Sequence, residues 1–406
     1  VGARRADSAL RRFPQRFRRG SAVPREDVLG VVPIDKAGDP MRSGWGELAC
    51  SLTRPRLGCY RLHPMTTRLE DTMKPLHIKR GVSIYSFQEK YYRGEMTLED
   101  CIATAAKLGV HGIEMLADQM LPGYPSITYK LSDSFVGQWH EWMSKYGIEP
   151  VSFDVYGETK LYKNRRVSHQ ELVSELVELT KTAHALGFKI LRLTFHLPIE
   201  VVEAMIPHAE ERGMKLALEV HAPHLLTGEW VQRNIELALR TNTKNLGLMP
   251  DLGIFCKSIP RLVVDEAMRD GATPRIVDFL SDVYRWPAVP KDLMQQVEKM
   301  GANEADLWLA QRIVIGVWRY HDPKNLLRYM PYTFHIHGKF YEMTPDLIEP
   351  QVAYEAVLPV LIEGGYDGYI MSEYEGQRLT HGIDMGYDEV EQVRRHQTML
   401  ANYLGH

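Results

Sequence analysis

From residue 80 onward the chain alternates short runs of β-branched and aromatic residues with longer amphipathic runs, and glycine closes most of the latter. Strands are expected at 81–87, 112–116, 148–154, 189–195, 214–220, 246–249, 332–337 and 369–373. The first intervening helix opens at Thr97, with Glu99 and Asp100 in its first turn, and closes at Gly109. Others are expected at 132–146, 168–186, 199–213, 229–239, 325–329 and 352–362, with a closing helix at 387–404. Eight strands, each followed by a helix, predict an α/β fold of the (β/α)8 TIM barrel type. The competing doubly wound sheet is disfavoured, because no GxGxxG follows the first strand.

Two stretches break the rhythm. Between strands six and seven lie about 80 residues, far more than an ordinary βα connection, with helices expected near 259–269, 274–284 and 292–314. This insertion, about 254–320, sits on the catalytic face and reads as a lid, a substrate wall or a partner surface. Residues 1–72 carry 14 Lys+Arg against 8 Asp+Glu, a net of +6, so the remainder carries −9 of the chain's −3. They show no apolar period and resemble either a transit peptide or sequence upstream of the true start. They are expected to be disordered, dispensable and without chemistry, with the barrel spanning 73–406.

The net charge of −3 points to no nucleic acid or membrane surface, and no apolar run is long enough for a membrane-spanning helix. Cys50, Cys59, Cys101 and Cys256 lack CxxC spacing. That usage fits a reducing, cytoplasmic setting and gives no thiolate metal site.

Barrel chemistry comes from the C-terminal ends of strands. Strand five ends in Glu219-Val220-His221, with His224 close behind; strand six ends at Asp251. Strand seven ends His335-Ile336-His337-Gly338-Lys339, and strand eight ends Glu373-Tyr374-Glu375. Any one of these residues alone reads better as a solvated carboxylate or a core histidine. Four successive strands sending Glu219, Asp251, His337 and Glu373 to one rim read differently. Three carboxylates and an imidazole in a dry mouth repel one another unless a cation sits among them. Oxygen ligands with one nitrogen suit Mn²⁺, Mg²⁺, Co²⁺ or Zn²⁺. Alternation puts His335 on the face of His337, one layer below it. Glu375 shares the face of Glu373 but falls in the following loop.

The ordered set resembles the xylose-isomerase-like barrels, the sugar isomerase/epimerase group, over about residues 79–404. The motifs are GIE (Glu114), LALEVH (Glu219), PDLG (Asp251), HIHGK (His337, Lys339) and GYDGYIMSEYEG (Glu373). The resemblance implies one divalent ion, Mn²⁺ first, on Glu219, Asp251, His337 and Glu373. Asp251-Leu252-Gly253-Ile254 lacks the family's usual histidine, which argues against the AP-endonuclease branch. Within the group, HIHGKFYEM, EVHAPH and the long insertion resemble the catalytic subunits of bacterial C-glycoside deglycosidases. Those cleave the C–C bond of 3-keto-C-glycosides together with a small second subunit, expected to be β-rich. A keto-sugar isomerase, epimerase or dehydratase is the alternative, and a non-catalytic sugar-binding barrel a remote one.

Both catalytic readings begin with removal of the proton α to a carbonyl. In an epimerase Glu219 and Glu373 act on opposite faces of the carbon. In a deglycosidase His221 is the candidate base or acid, with His196 and His224 next, and Lys339 stabilises the oxyanion. His196, His224, Tyr85 and Glu114 are the expected substrate-side residues, and the protein is expected to form an oligomer.

Overall fold

The computed structural model describes residues 78–286, 288–318, 320–379 and 386–405. The expectations for residues 1–72 lie outside the described residues. The strands are β1 Lys79–Ser83, β2 Gly112–Leu116, β3 Glu149–Val155, β4 Ile190–Leu193, β5 Lys215–Val220, β6 Leu246–Pro250, β7 Ile336–Phe340 and β8 Tyr369–Tyr374. They form one eight-stranded sheet in the order β6-β5-β4-β3-β2-β1-β8-β7, and the ladders are parallel. Two parallel bridges, Leu248 to Thr333 and Asp251 to His337, join β6 to β7 and close the (β/α)8 barrel. Gly247 permits the approach at this seam. A Cβ there would collide with the Tyr332 carbonyl and with the Phe334 ring.

The helices start and stop where side chains satisfy their ends. Thr97 and Ser168 form capping boxes with Asp100 and Glu171, and Gly147 takes the left-handed conformation that ends the helix Asp133–Tyr146. Beneath the strand ends lies an apolar floor of Val151, Ile190, Ala217, Met249, Tyr369 and Met371. Ala217, Met249 and Met371 each precede a Glu or Asp of the rim by two residues, so alternation stacks the acids directly on this floor. No helix among the described residues is long and apolar enough to cross a membrane.

Several boundaries differ from the sequence reading. β1 ends at Ser83, because the buried run Ile84–Phe87 turns into a 3₁₀ helix. β4 is confined to Ile190–Leu193. β7 begins at Ile336 rather than 332, since Pro331 lies in a 3₁₀ turn, Met330–Tyr332, that holds the chain out of the sheet. The expected helix 292–314 is two, Leu293–Lys299 and Glu304–Ile315. Gly301 at φ 81° and the Asn303–Asp306 capping box separate them. These two, with Arg261–Arg269 and Pro274–Tyr284, make the insertion between β6 and β7.

The last helix, Glu389–Leu404, packs on β1 and β8 and carries His396 into the interior. Its ring stacks on Phe340 at 4.2 Å, and its Nδ1 meets Ser372 Oγ at 2.6 Å. Burial pushes this imidazole down to about 3. An unfolded histidine titrates near 6.5, so the unfolded chain gains a proton that the folded one refuses. Stability is therefore expected to fall between pH 6.5 and 3, by up to about 1.4 kcal/mol per pH unit from this residue. Urea unfolding at pH 6, 5 and 4 checks it: a His396→Gln variant should show a visibly shallower loss, and an unchanged slope contradicts the assignment.

Candidate metal centre and active site

Glu219 on β5, Asp251 after β6, His337 on β7 and Glu373 on β8 are all buried, and one ligand atom from each lies within 4.8 Å of the others. The structure thus brings together all four expected donors. His337 Nδ1 is 3.1 Å from Glu219 Oε1 and 3.2 Å from Glu373 Oε2. Asp251 accepts the Gly253 N–H through Oδ1 at 2.7 Å, which leaves Oδ2 facing charged groups. Lys339 Nζ ion-pairs with that Oδ2 at 2.7 Å, and lies 3.5 Å from Glu373 and 3.6 Å from Glu375.

Burial alone would raise the Glu219 carboxyl; the Arg192 guanidinium and the His337 imidazole overcome it and hold it well below the usual range. Glu373 is lowered in the same way, against burial, by His337 and Lys339. Asp154 goes the other way. Burial and the Glu114 charge raise it well above the ordinary value. Five buried carboxylates (Glu114, Asp154, Glu219, Asp251, Glu373) face two buried cations, Arg192 and Lys339. The donor chemistry and the excess of buried carboxylates both fit a hard-to-borderline dication.

The other expected residues divide into three groups. Tyr85, His196, His221, Lys339, Glu219 and Glu373 line one cavity of about 200 Å³ in the barrel mouth. Tyr85 donates to Glu375 Oε2 at 3.0 Å and accepts from Arg378 at 3.2 Å, and the His196 ring lies parallel to Tyr156. His224 does not line this cavity; it stacks on Trp230 at 4.8 Å and props the Phe195 ring. Glu114 lies a layer below, fully buried, with Oε1 2.9 Å from His337 Nε2 and Oε2 3.1 Å from His335 Nε2. Both of its oxygens are thus engaged by imidazoles, and it orients His337 rather than facing the cavity. His335 occupies that lower layer, as alternation required.

His221 has a defined tautomer. Its Nδ1 is 2.6 Å from the Ala222 carbonyl, which can only accept, so Nδ1 carries the hydrogen. In the neutral ring the lone pair is then on Nε2, 3.7 Å from Asp251 Oδ2.

The sequence reading passed over Asp154 and Arg192. They sit within β3 and β4, where Arg192 bonds Glu219 at 2.8 Å and lies 3.6 Å from Asp154. A charged residue inside an otherwise apolar barrel strand was the available signal.

No protein-family model matches the chain. It is 27% identical over 314 residues to the 3'-dehydrocarminate deglycosidase alpha subunit of a Microbacterium species, covering 73% of this chain and 88% of that protein. It is 28% identical over 311 residues to a C-glycoside deglycosidase alpha subunit of Arthrobacter globiformis, covering 73% and 84%. The crystal structure of D-psicose 3-epimerase in the presence of D-fructose aligns with a TM-score of 0.49 at 12% identity, over 81% of this chain and 100% of that one. By its own strand order the chain is a (β/α)8 barrel, and in sequence it is similar to the alpha subunits of C-glycoside deglycosidases.

Proposed function

We infer that this chain is the catalytic subunit of a metal-dependent lyase that cleaves the C–C bond of a 3-keto-C-glycoside, with a small, β-rich second subunit as partner. The observation that carries the reading is His221, with Nδ1 on the Ala222 carbonyl, in one cavity with Glu219 and Glu373 of the four-donor cluster. The similarity to deglycosidase alpha subunits supports the substrate class and the need for a partner.

Glu219, Asp251, His337 and Glu373 would hold the ion, and Mn²⁺ is our first choice. When bound, such an ion supplies Lewis-acid stabilisation of the enolate oxygens. His221 Nε2 takes the C2 proton, which the 3-keto group has acidified. The resulting enolate expels the aglycone carbon from C1, and the His221 imidazolium returns a proton to that carbon. Lys339, held as an ammonium by Asp251 and Glu373, adds positive charge where the oxyanion forms. Burial opposes that charge, but Asp251, Glu373 and Glu375 raise the Lys339 pKa well above its ordinary value. A groove of about 710 Å³ between the insertion and the segment after β5, bordered by Leu225, Leu226, Trp286 and Trp318, supports a bulky aglycone.

The second reading, a keto-sugar epimerase, is favoured by Glu219 and Glu373 both approaching His337 Nδ1. In that case the two carboxylates trade the proton.

Product analysis separates the two. Incubated in D₂O with Mn²⁺, a 3-keto-C-glycoside and the candidate partner, the protein should release the free aromatic aglycone and place deuterium next to the carbonyl in returned substrate. Deuterated, rearranged ketose from a free sugar, with no aglycone released from any C-glycoside, removes the lyase reading.

A further inference from the structure

Arg378 is a cation to which the steps above give no task. The cavity of about 200 Å³ in the barrel mouth is lined by three cations, Arg192, Lys339 and Arg378, and three carboxylates, Glu219, Glu373 and Glu375. Arg192 and Lys339 are buried and spent on protein acids: Nη2 of the first is 2.8 Å from Glu219, and Nζ of the second is 2.7 Å from Asp251. Arg378 is exposed and has no ion pair among the described residues. Its guanidinium donates through Nη1 to the Tyr85 hydroxyl at 3.2 Å, and that hydroxyl donates to Glu375 Oε2 at 3.0 Å. Most of its N–H groups therefore have no protein acceptor. The residue is nonetheless held in place. It belongs to the 3₁₀ turn Gly376–Leu379, whose first residue lies so close to the Tyr341 carbonyl that a Cβ there would collide with it. The Arg378 N–H donates to the Glu375 carbonyl at 3.2 Å, and Gln377 Nε2 donates to the Tyr85 carbonyl at 3.4 Å. With the turn packed and Nη1 tied to Tyr85, the guanidinium is oriented before a ligand arrives, which lowers the entropic cost of gripping one.

We propose that Arg378 is a specificity-determining residue that binds a carboxylate carried by the substrate, so that the mouth prefers a carboxylated glycoside to its neutral counterpart. The inference rests on the reading that places a glycoside in this cavity. A planar guanidinium with unused N–H groups matches a carboxylate in charge and in shape. The lining does not oppose an anion, since its cations equal its carboxylates in number and the divalent ion would add positive charge. Arg192 and Lys339 cannot take this part, because Glu219 and Asp251 already hold them. The carboxylate belongs to the sugar or to the aglycone; its chemistry at Arg378 is the same, and the probes below tell the two apart.

Three unreactive probes test this by calorimetry on the Mn²⁺-loaded full chain: a phenyl C-glucoside, the matching phenyl C-glucuronide and a 4-carboxyphenyl C-glucoside, none carrying a 3-keto group. Wild type should bind at least one carboxylated probe about tenfold or more tightly than the neutral one. A preference for the glucuronide puts the carboxylate on the sugar, and one for the carboxyphenyl glucoside puts it on the aglycone. Arg378→Gln should retain its Mn²⁺ by elemental analysis, and its preference should fall below about twofold. No preference in wild type, or binding of none of the probes, overturns the proposal. So does a preference that survives in the metal-loaded Arg378→Gln protein, which would assign the carboxylate to the ion. Loss of Mn²⁺ from that variant also overturns it, because Arg378 would then support the metal layer. Binding is read without turnover, so the two readings fail separately. An Arg378-dependent preference without aglycone release refutes the lyase and leaves this inference standing. Aglycone release without any preference does the reverse.

Discussion

An Asp251→Ala/His337→Ala protein is expected to purify without a stoichiometric divalent ion and to lose at least about 10³-fold in kcat/KM, since Lewis-acid stabilisation is worth several kcal/mol and each 1.36 kcal/mol is tenfold. The double change removes the one nitrogen donor and one of the three carboxylates of the four-donor set. It also leaves Lys339 without its shortest ion pair, at 2.7 Å, so some loss of stability accompanies the loss of metal. A chelator separates these effects. It should lower the Tm of wild type, because an ion that binds only the folded state stabilises by mass action, and should leave the Tm of the double variant unmoved. Full metal occupancy in the double variant, by elemental analysis, would falsify the ligand assignment.

Three of the four donors were legible for a definite reason. Glu219, Asp251 and Glu373 stand at or next to a strand's C-terminal end, where a (β/α)8 barrel exposes polar side chains to its mouth, whereas His337 is the second residue of β7 and was placed at the rim only because β7 was expected to end there. The fold was legible on the same grounds, because eight apolar runs with intervening capped helices leave few other closures. The charges on β3 and β4 were not. Asp154 and Arg192 are the penultimate residues of their strands, as Glu219 and Glu373 are of theirs, and only the register, Asp154 beside Arg192, shows that the two share a layer. Nothing in the local sequence says that an acid one residue from the end of one strand will meet a base on the next. Glu114, expected on the substrate side, lies outside the lining of the mouth cavity. Its motif marks it as a barrel residue, but only the structure shows that both of its oxygens face the imidazoles of His335 and His337. His224 was read as substrate-side from its closeness in sequence to His221, yet Trp230 captures its ring.

The second large effect concerns His221. Its Nδ1 hydrogen is fixed by the Ala222 carbonyl, and its Nε2 is 3.7 Å from the nearest Asp251 oxygen, too far for a hydrogen bond. Removing the ring should therefore leave the four donors in place. His221→Ala is expected to keep its metal and its fold while losing about 10²–10⁴-fold in kcat, the usual share of a positioned acid–base group. Two further readouts locate the defect. Deuterium exchange at the carbon next to the carbonyl should slow as much as aglycone release, because one imidazole serves both the removal and the return of the proton. Added imidazole should restore part of the exchange, since the missing ring leaves a space beside Phe195, which stacks on it at 6.0 Å. Should exchange continue at the wild-type rate while aglycone release alone fails, His221 is the acid that protonates the leaving carbon, and proton abstraction falls to Glu219 or Glu373. Should both rates hold, the imidazole only buttresses the loop after β5, and the two carboxylates at His337 Nδ1 carry the acid–base work themselves.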